Sequence, residues 1–197
     1  SLPWIANLGA IEMHPWYSRI KDFESCDKSS LLFEEKCGLN FPDFIVFDLD
    51  PYIYSGAEGK GQEPKYNTRG FKAAVEVAVH LADLFKELKI KSFIKTSGKT
   101  GLHIYIPIKN EYTYDQTRSF AEIIGKMLMS RLPEKITMEW STAKRTGKVF
   151  FDYNQNSRGK TIASVYSVRP TTSATVSMPV RWEELDDIVP KDFTLIT

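Results

Sequence analysis

The stretch FIVFDLDP, Phe44 to Pro51, decides the fold. Phe44, Ile45, Val46 and Phe47 form a β-prone apolar run, and Pro51, which has no N–H for a ladder, closes it. Alternate side chains of a strand share a face, so Phe47 and Leu49 point into a core while Asp48 and Asp50 point the other way. Two carboxylates on one face, about 6–7 Å apart at the strand rise, repel each other unless a cation lies between them. Burying them without partners costs several kcal/mol. Hard divalent cations take carboxylate oxygen, so the pattern points to Mg2+ or Mn2+. Asp152 repeats the arrangement after the apolar residues of KVFFDYNQ, residues 148–155. Three aspartates from two strands can hold two ions, the arrangement that serves in-line phosphoryl transfer. A lone aspartate at a strand end is ordinarily a turn or a cap. The pair together with a second strand aspartate is what favours metal.

Working outward, WIANLGAIEMH (4–14) reads as a short helix or turn followed by a strand, with Ile11 and Met13 on one side and Glu12 and His14 on the other. Residues 18–40 are polar and mixed, and 53–67 hold three of the eleven glycines, so both read as loops. Phe71, Val75, Ala78, Ala82 and Phe85 recur at helical spacing and predict a helix over about 69–88. A second helix is expected over about 116–131, capped by Asp115, with Phe120, Ile124 and Met127 inward and Pro133 ending it. KSFIKTSGKTGLHIYIPI reads as strand, glycine turn and strand; KITMEWS and GKVFFDYNQ read as two more strands. SVYSVRP is a further strand or a loop returning to the site, and VRWEELDDI is a short helix. Without steady βαβ alternation, this order predicts an α+β domain with a mainly antiparallel sheet and flanking helices.

The 197 residues carry a net charge of +1, so overall charge makes no case for nucleic acid and only a local basic patch can. No run reaches the roughly 18 apolar residues of a membrane helix. Cys26 and Cys37 match no zinc spacing and read as two reduced thiols. The opening SLPWIANLG reads as mid-domain sequence, which implies preceding sequence in the same gene or in a separate polypeptide.

The turn TSGKTGLH, Thr96 to His103, has glycines that let successive N–H groups point at one spot, with Ser97 adding a hydroxyl and Lys99 a charge. His103 shares a face with Tyr105, while Leu102, Ile104 and Ile106 face the core. Such a turn can cradle a triphosphate. It can equally be a plain hairpin turn, and the Walker spacing is absent. Arg145, Gln155, Arg158 and Arg169 lie within 17 residues of Asp152 in sequence. Any one of these arginines is ordinarily a solvated surface group; their density beside an acidic strand favours phosphate. His14 alone reads as a hydrogen-bonded structural histidine.

Taken in order, EMHPW, FIVFDLDP, KTSGKTGLHIYIP, VFFDYNQNSRGKT, YSVRP and PVRWEEL resemble the polymerase domain of bacterial ligase D and its archaeal relatives, from Asn7 to Leu185. These are non-homologous end-joining polymerases of the archaeo-eukaryotic primase superfamily. The resemblance implies a single primase-polymerase catalytic domain over 1–197, with part of its N-terminal region outside this sequence or supplied by a second chain. It implies Asp48, Asp50 and Asp152 as the metal triad. It also places His14, Ser97, Lys99, His103, Arg145, Gln155 and Arg169 around the incoming nucleotide or primer terminus. In the family the turn reads Ser-Gly-any-Lys-Gly; here the lysine is one place earlier, at Lys99. The implied activity is addition of ribo- or deoxyribonucleotides to a primer 3′-end with two Mn2+ or Mg2+ ions, filling gaps in broken DNA beside Ku and a DNA ligase. The implied location is the prokaryotic cytoplasm, at the nucleoid.

Two other readings compete. A haloacid-dehalogenase-type phosphatase also ends a strand in DLD, and KTSG with Asp186–Asp187 imitates its later motifs, but Pro51-Tyr52 stands where Gly-Thr belongs. A nucleic-acid-binding module without activity is the other.

Overall fold

The computed structural model describes residues 2–19, 38–52 and 66–196. The expected loops at 18–40 and 53–67 fall largely outside the described residues, as do Cys26 and Cys37. A short helix α1 (Leu2–Asn7) is followed by strand β1 (Phe44–Pro51), helix α2 (Thr68–Glu87), β2 (Phe93–Thr96), β3 (Leu102–Pro107), helix α3 (Tyr114–Arg131), β4 (Ile136–Thr137), β5 (Val149–Asp152) and β6 (Pro179–Val180). The strands form one sheet in the order β4-β5-β1-β3-β2-β6. Every pairing is antiparallel except β4 with β5, so the sheet is mixed but mainly antiparallel, as the sequence predicts.

The two faces of the sheet differ in chemistry. Ile45, Phe47 and Leu49 of β1 join Leu102, Ile104 and Ile106 of β3 and Phe151 of β5 in one core with α2 and α3. Phe47, Leu49, Leu102, Ile104 and Phe151 are each 0% exposed. Each such side chain stabilises the fold by roughly 1.5–3 kcal/mol. The opposite face carries Asp48 and His103. Its apolar part is a smaller cluster of Tyr17, Val46, Tyr114 and Ile162. Thus β1 has a wholly apolar face under two helices and a face that turns from apolar to acidic along its length.

Local details depart from the sequence reading. Residues 10–14 join no ladder among the described residues. Ser164 N–H donates to Met13 O, and Met13 N–H donates to Ser167 Oγ, so a side chain stands where a partner strand's carbonyl would be. Helix α3 begins two residues early because Thr113, not Asp115, is its cap: Thr113 Oγ1 accepts from Gln116 N–H while the Gln116 side chain accepts from Thr113 N–H. Its buried face is Thr117, Ala121, Ile124 and Leu128, whereas Met127 is 38% exposed. The expected strand KITMEWS shrinks to Ile136–Thr137. SVYSVRP is a loop with a single bridge, Val168 to Val176, and VRWEELDDI yields one 3-10 turn, Trp182–Glu184. No described helix is long and apolar enough to cross a membrane.

Candidate active site

Register, more than any single motif, assembles the site. Asp48 is the ladder partner of Asp152 on β5 and of His103 on β3, and His103 is in turn the partner of Lys95 on β2. Paired residues on adjacent strands project from the same face. Asp152, Asp48, His103 and Lys95 therefore form one row across four strands, acidic at one end and basic at the other. Asp50, two residues along, shares that face.

Asp48 and His103, the middle of the row, line a cleft of about 940 Å3 together with Asp50. Of the residues expected from sequence, His14, Asp48, Asp50, Ser97, Lys99, His103, Arg145, Gln155 and Arg169 line this cleft. Asp152 lies behind the lining as Asp48's neighbour, and Arg158 is exposed and away from it.

Asp48 is buried, and burial, reinforced by the Asp50 and Asp152 carboxylates, pushes its carboxyl well above the usual range. Its Oδ2 accepts a long hydrogen bond from Gln155 Nε2 at 3.4 Å. Its Oδ1 lies 3.4 Å from His103 Nε2 but has no hydrogen-bond partner among the described residues. An unsatisfied carboxylate oxygen in a buried site is costly, and a cation at that point would relieve it. Burial also raises the Asp152 carboxyl, although its Oδ1 accepts from Asn154 N–H. Asp48 and Asp152 thus turn to different partners. Among the described residues no three His, Cys, Asp or Glu side chains come together as a ready-made metal site.

β5 leaves the sheet at Asp152 and enters a 3-10 turn, Tyr153–Asn156. Asn156 then takes the place of the missing strand: its Oδ1 accepts from Val46 N–H and its Nδ2 donates to Val46 O. That two-point tie sets the turn carrying Gln155 against β1.

The glycine turn is ordered from within. Ser97 Oγ accepts from the N–H groups of Lys99 and Gly101, so the hydroxyl expected to face a triphosphate shapes its own loop. Gly98 has φ +74°, and a Cβ there would come within 2.6 Å of Arg169 Cγ. A Cβ on Gly101 would lie 2.1 Å from Leu49 O. The turn therefore packs directly on β1 and on the loop of Arg169, which only glycine permits.

Arg169 is buried; its Nη1 donates to Ser97 O and its Nε lies 2.7 Å from Glu12 Oε1. His14 Nε2 is 2.8 Å from the same oxygen. Burial works to raise the Glu12 carboxyl, but His14, Arg169 and Lys99 together hold it below its ordinary value. Arg145 donates to Glu139 O and Trp140 O and stacks over Phe150, 3.4 Å from the ring centroid. Burial lowers His103 well below the usual imidazole range, with Lys95 adding to it, and lowers Lys95 to about 7.

Four members of this arrangement escape the sequence reading: Glu12, Lys95, Asn156 and Ser177, whose Oγ bonds to Lys95 Nζ. Lys95 had a signal: closing β2 and β3 around the five-residue turn 97–101 places it opposite His103. Glu12 had one too, in its alternation with His14.

A mainly antiparallel α+β sheet bearing carboxylates beside a basic, glycine-turned cleft has the form of a primase-polymerase domain. The model of the family described as "LigD, primase-polymerase domain" matches residues 1–197, and the chain belongs to that family. The chain is 31% identical to the multifunctional non-homologous end joining protein LigD of Pseudomonas aeruginosa, over 92% of its own length and 18% of that protein. It is 32% identical to the bifunctional non-homologous end joining protein LigD of Bacillus subtilis, over 100% of its length and 28% of that protein. The chain thus spans less than a third of either relative. Among solved structures it matches the polymerase domain of Mycobacterium tuberculosis ligase D in complex with DNA, with a TM-score of 0.72 and 32% identity, covering 94% of this chain and 57% of that one. The phosphatase alternative fails on topology. β1 lies between two antiparallel neighbours, and Asp186 and Asp187 line a separate groove beside α2.

Proposed function

We propose that this chain is the catalytic core of a DNA-directed nucleotidyl transferase, adding ribo- or deoxyribonucleotides to a primer 3′-end during gap filling in end joining. Asp48, Asp50 and His103 on the wall of a cleft large enough for a nucleotide, with Asp152 as the ladder partner of Asp48, carry the reading. The orphaned Oδ1 of Asp48 and the all-carboxylate donor set fit divalent Mg2+ or Mn2+. Asp48, Asp50 and Asp152 would hold the ions. When bound, such ions activate a hydroxyl and neutralise phosphoryl charge.

The chain's own residues supply the rest. His103, kept neutral, offers an N–H and no charge to a phosphate oxygen. Lys99, Arg145 and Arg169 bring positive charge to the cleft. Arg169 also ties the turn to the Glu12–His14 segment, so nucleotide binding and loop order are linked. Gln155 steadies Asp48. DNA is the expected polymer partner, with Ku and a DNA ligase acting alongside.

Primer extension on gapped, 5′-phosphorylated DNA, comparing NTPs with dNTPs in Mn2+ and in Mg2+, tests the proposal. Extension by wild type and none by Asp152→Ala is expected. A wild-type chain that binds the DNA and never extends it would instead be a binding module.

A further inference from the structure

Lys95 ends the row but does not line the cleft. It is 1% exposed, and a lysine so buried is costly unless its hydrogens have acceptors. Nζ lies 2.8 Å from His103 Nδ1, bonds to Ser177 Oγ, and sits 5.9 Å from the centre of the Tyr105 ring. Ser177 Oγ donates its one hydrogen to Thr96 O at 2.9 Å. Nζ must therefore be the donor to Ser177. As ammonium, Nζ has hydrogens and no lone pair, so toward His103 Nδ1, 2.8 Å away, it can only donate. A neutral imidazole that accepts at Nδ1 carries its proton on Nε2. That Nε2 is on the cleft side, 3.4 Å from Asp48 Oδ1, too long for a firm bond. Its hydrogen is available to whatever enters.

We propose that Lys95, anchored by Ser177, is a positioning residue that fixes His103 as the Nε2–H tautomer and aims that hydrogen at a phosphate oxygen in the cleft. The role of the aimed hydrogen rests on reading the cleft as a nucleotide site; the tautomer itself does not. Backbone pairing sets Lys95 opposite His103, and the Ser177–Thr96 bond sets the direction of the proton chain. A lysine present only to fill space would need no such ordered chain.

The test uses the full chain with 15N-labelled histidine, free of metal and nucleotide. Only three histidines are present, and His103→Gln assigns the ring in question. His103 is expected to show a protonated Nε2 and an unprotonated Nδ1. In Lys95→Met, checked for folding by its thermal transition, the ring is expected to shift toward Nδ1–H or a mixture. Its dissociation constant for a nucleoside triphosphate should rise about tenfold, the worth of one charge-assisted hydrogen bond. A wild-type ring protonated at Nδ1 overturns the proposal whatever the variants do, so a variant that fails to fold does not shield it. A folded Lys95→Met with an unchanged tautomer and unchanged nucleotide affinity overturns it as well. An Nε2–H ring in a wild-type chain that binds no nucleotide would overturn the reading of the cleft, and with it the role of the aimed hydrogen, while leaving the Lys95–His103 tautomer assignment intact.

Discussion

Asp48 and Arg169 are both buried beside the same cleft, but they are held there by different means. Asp48 sits inside the sheet, with ladder partners on both sides and an apolar face directly behind it. Moving it would break backbone pairing and unpack Phe47 and Leu49. Arg169 sits on a loop whose position depends on a hydrogen bond to Ser97 O, an ion pair with Glu12, and the absence of a Cβ at Gly98. The acidic wall is therefore rigid by register, and the opposite wall is assembled by a few specific contacts. A carboxylate pair that repels itself needs a stiff support, whereas groups that close on a ligand need freedom to adjust.

The difference can be broken or sharpened by substitution. Asp152→Ala, in the rigid sheet, should lower primer extension about a thousandfold while DNA binding measured by fluorescence anisotropy stays within a few fold. A variant extending at near-normal rate would remove Asp152 from the chemistry. Gly101→Ala, where the two walls meet, should cost about 2–4 kcal/mol of stability in urea unfolding, because the new Cβ meets the Leu49 carbonyl. Gly147→Ala, at φ +79° with nothing among the described residues within 4 Å, should cost only about 1 kcal/mol. A loss at Gly101 no larger than that at Gly147 would show that the Leu49 carbonyl gives way to the new Cβ and that the close approach does not govern the turn.

Arg169→Lys, at the adjustable wall, should raise the nucleotide KM about tenfold with a smaller change in kcat, because a point charge cannot serve Ser97 O and Glu12 together. An effect confined to kcat would argue against it. The smallest effect concerns pH. The Asp48 carboxyl is raised by folding, so its contribution to stability is greatest below the ordinary value of 3.8 and is lost as pH rises through the raised value. Without divalent ions, Asp48→Asn should melt a few degrees above wild type at neutral pH, and the gap should close on acidification below 3.8. Added Mn2+ should stabilise wild type and leave the variant unmoved. A variant less stable than wild type at neutral pH would contradict the buried, unsatisfied carboxylate.

Much of this was legible in the chain. FIVFDLDP stated a strand with one apolar and one acidic face, because alternation in a strand is a local property. The α2 stripe likewise stated its own burial. Elements held by context were misread. Residues 10–14 alternate like a strand but find no ladder, and Met127 lies on the outer side of α3 because Ala121 and Leu128 define the side the sheet covers. Asp115 looked like a cap, but Thr113 lies two residues earlier with extended backbone and takes that place.

By itself the sequence determined the β1 strand with its two like-facing aspartates, the glycine turn, the helices and the order of motifs. Each of these follows from local periodicity and from the stereochemistry of glycine and proline. Only the tertiary structure decided that Asp152, Asp48, His103 and Lys95 stand in one row. It also decided that Ser97 spends its hydroxyl on its own loop and that Glu12 bridges His14 to Arg169. Those facts depend on which strands pair and in what register, and register is fixed by the burial of the whole apolar face at once.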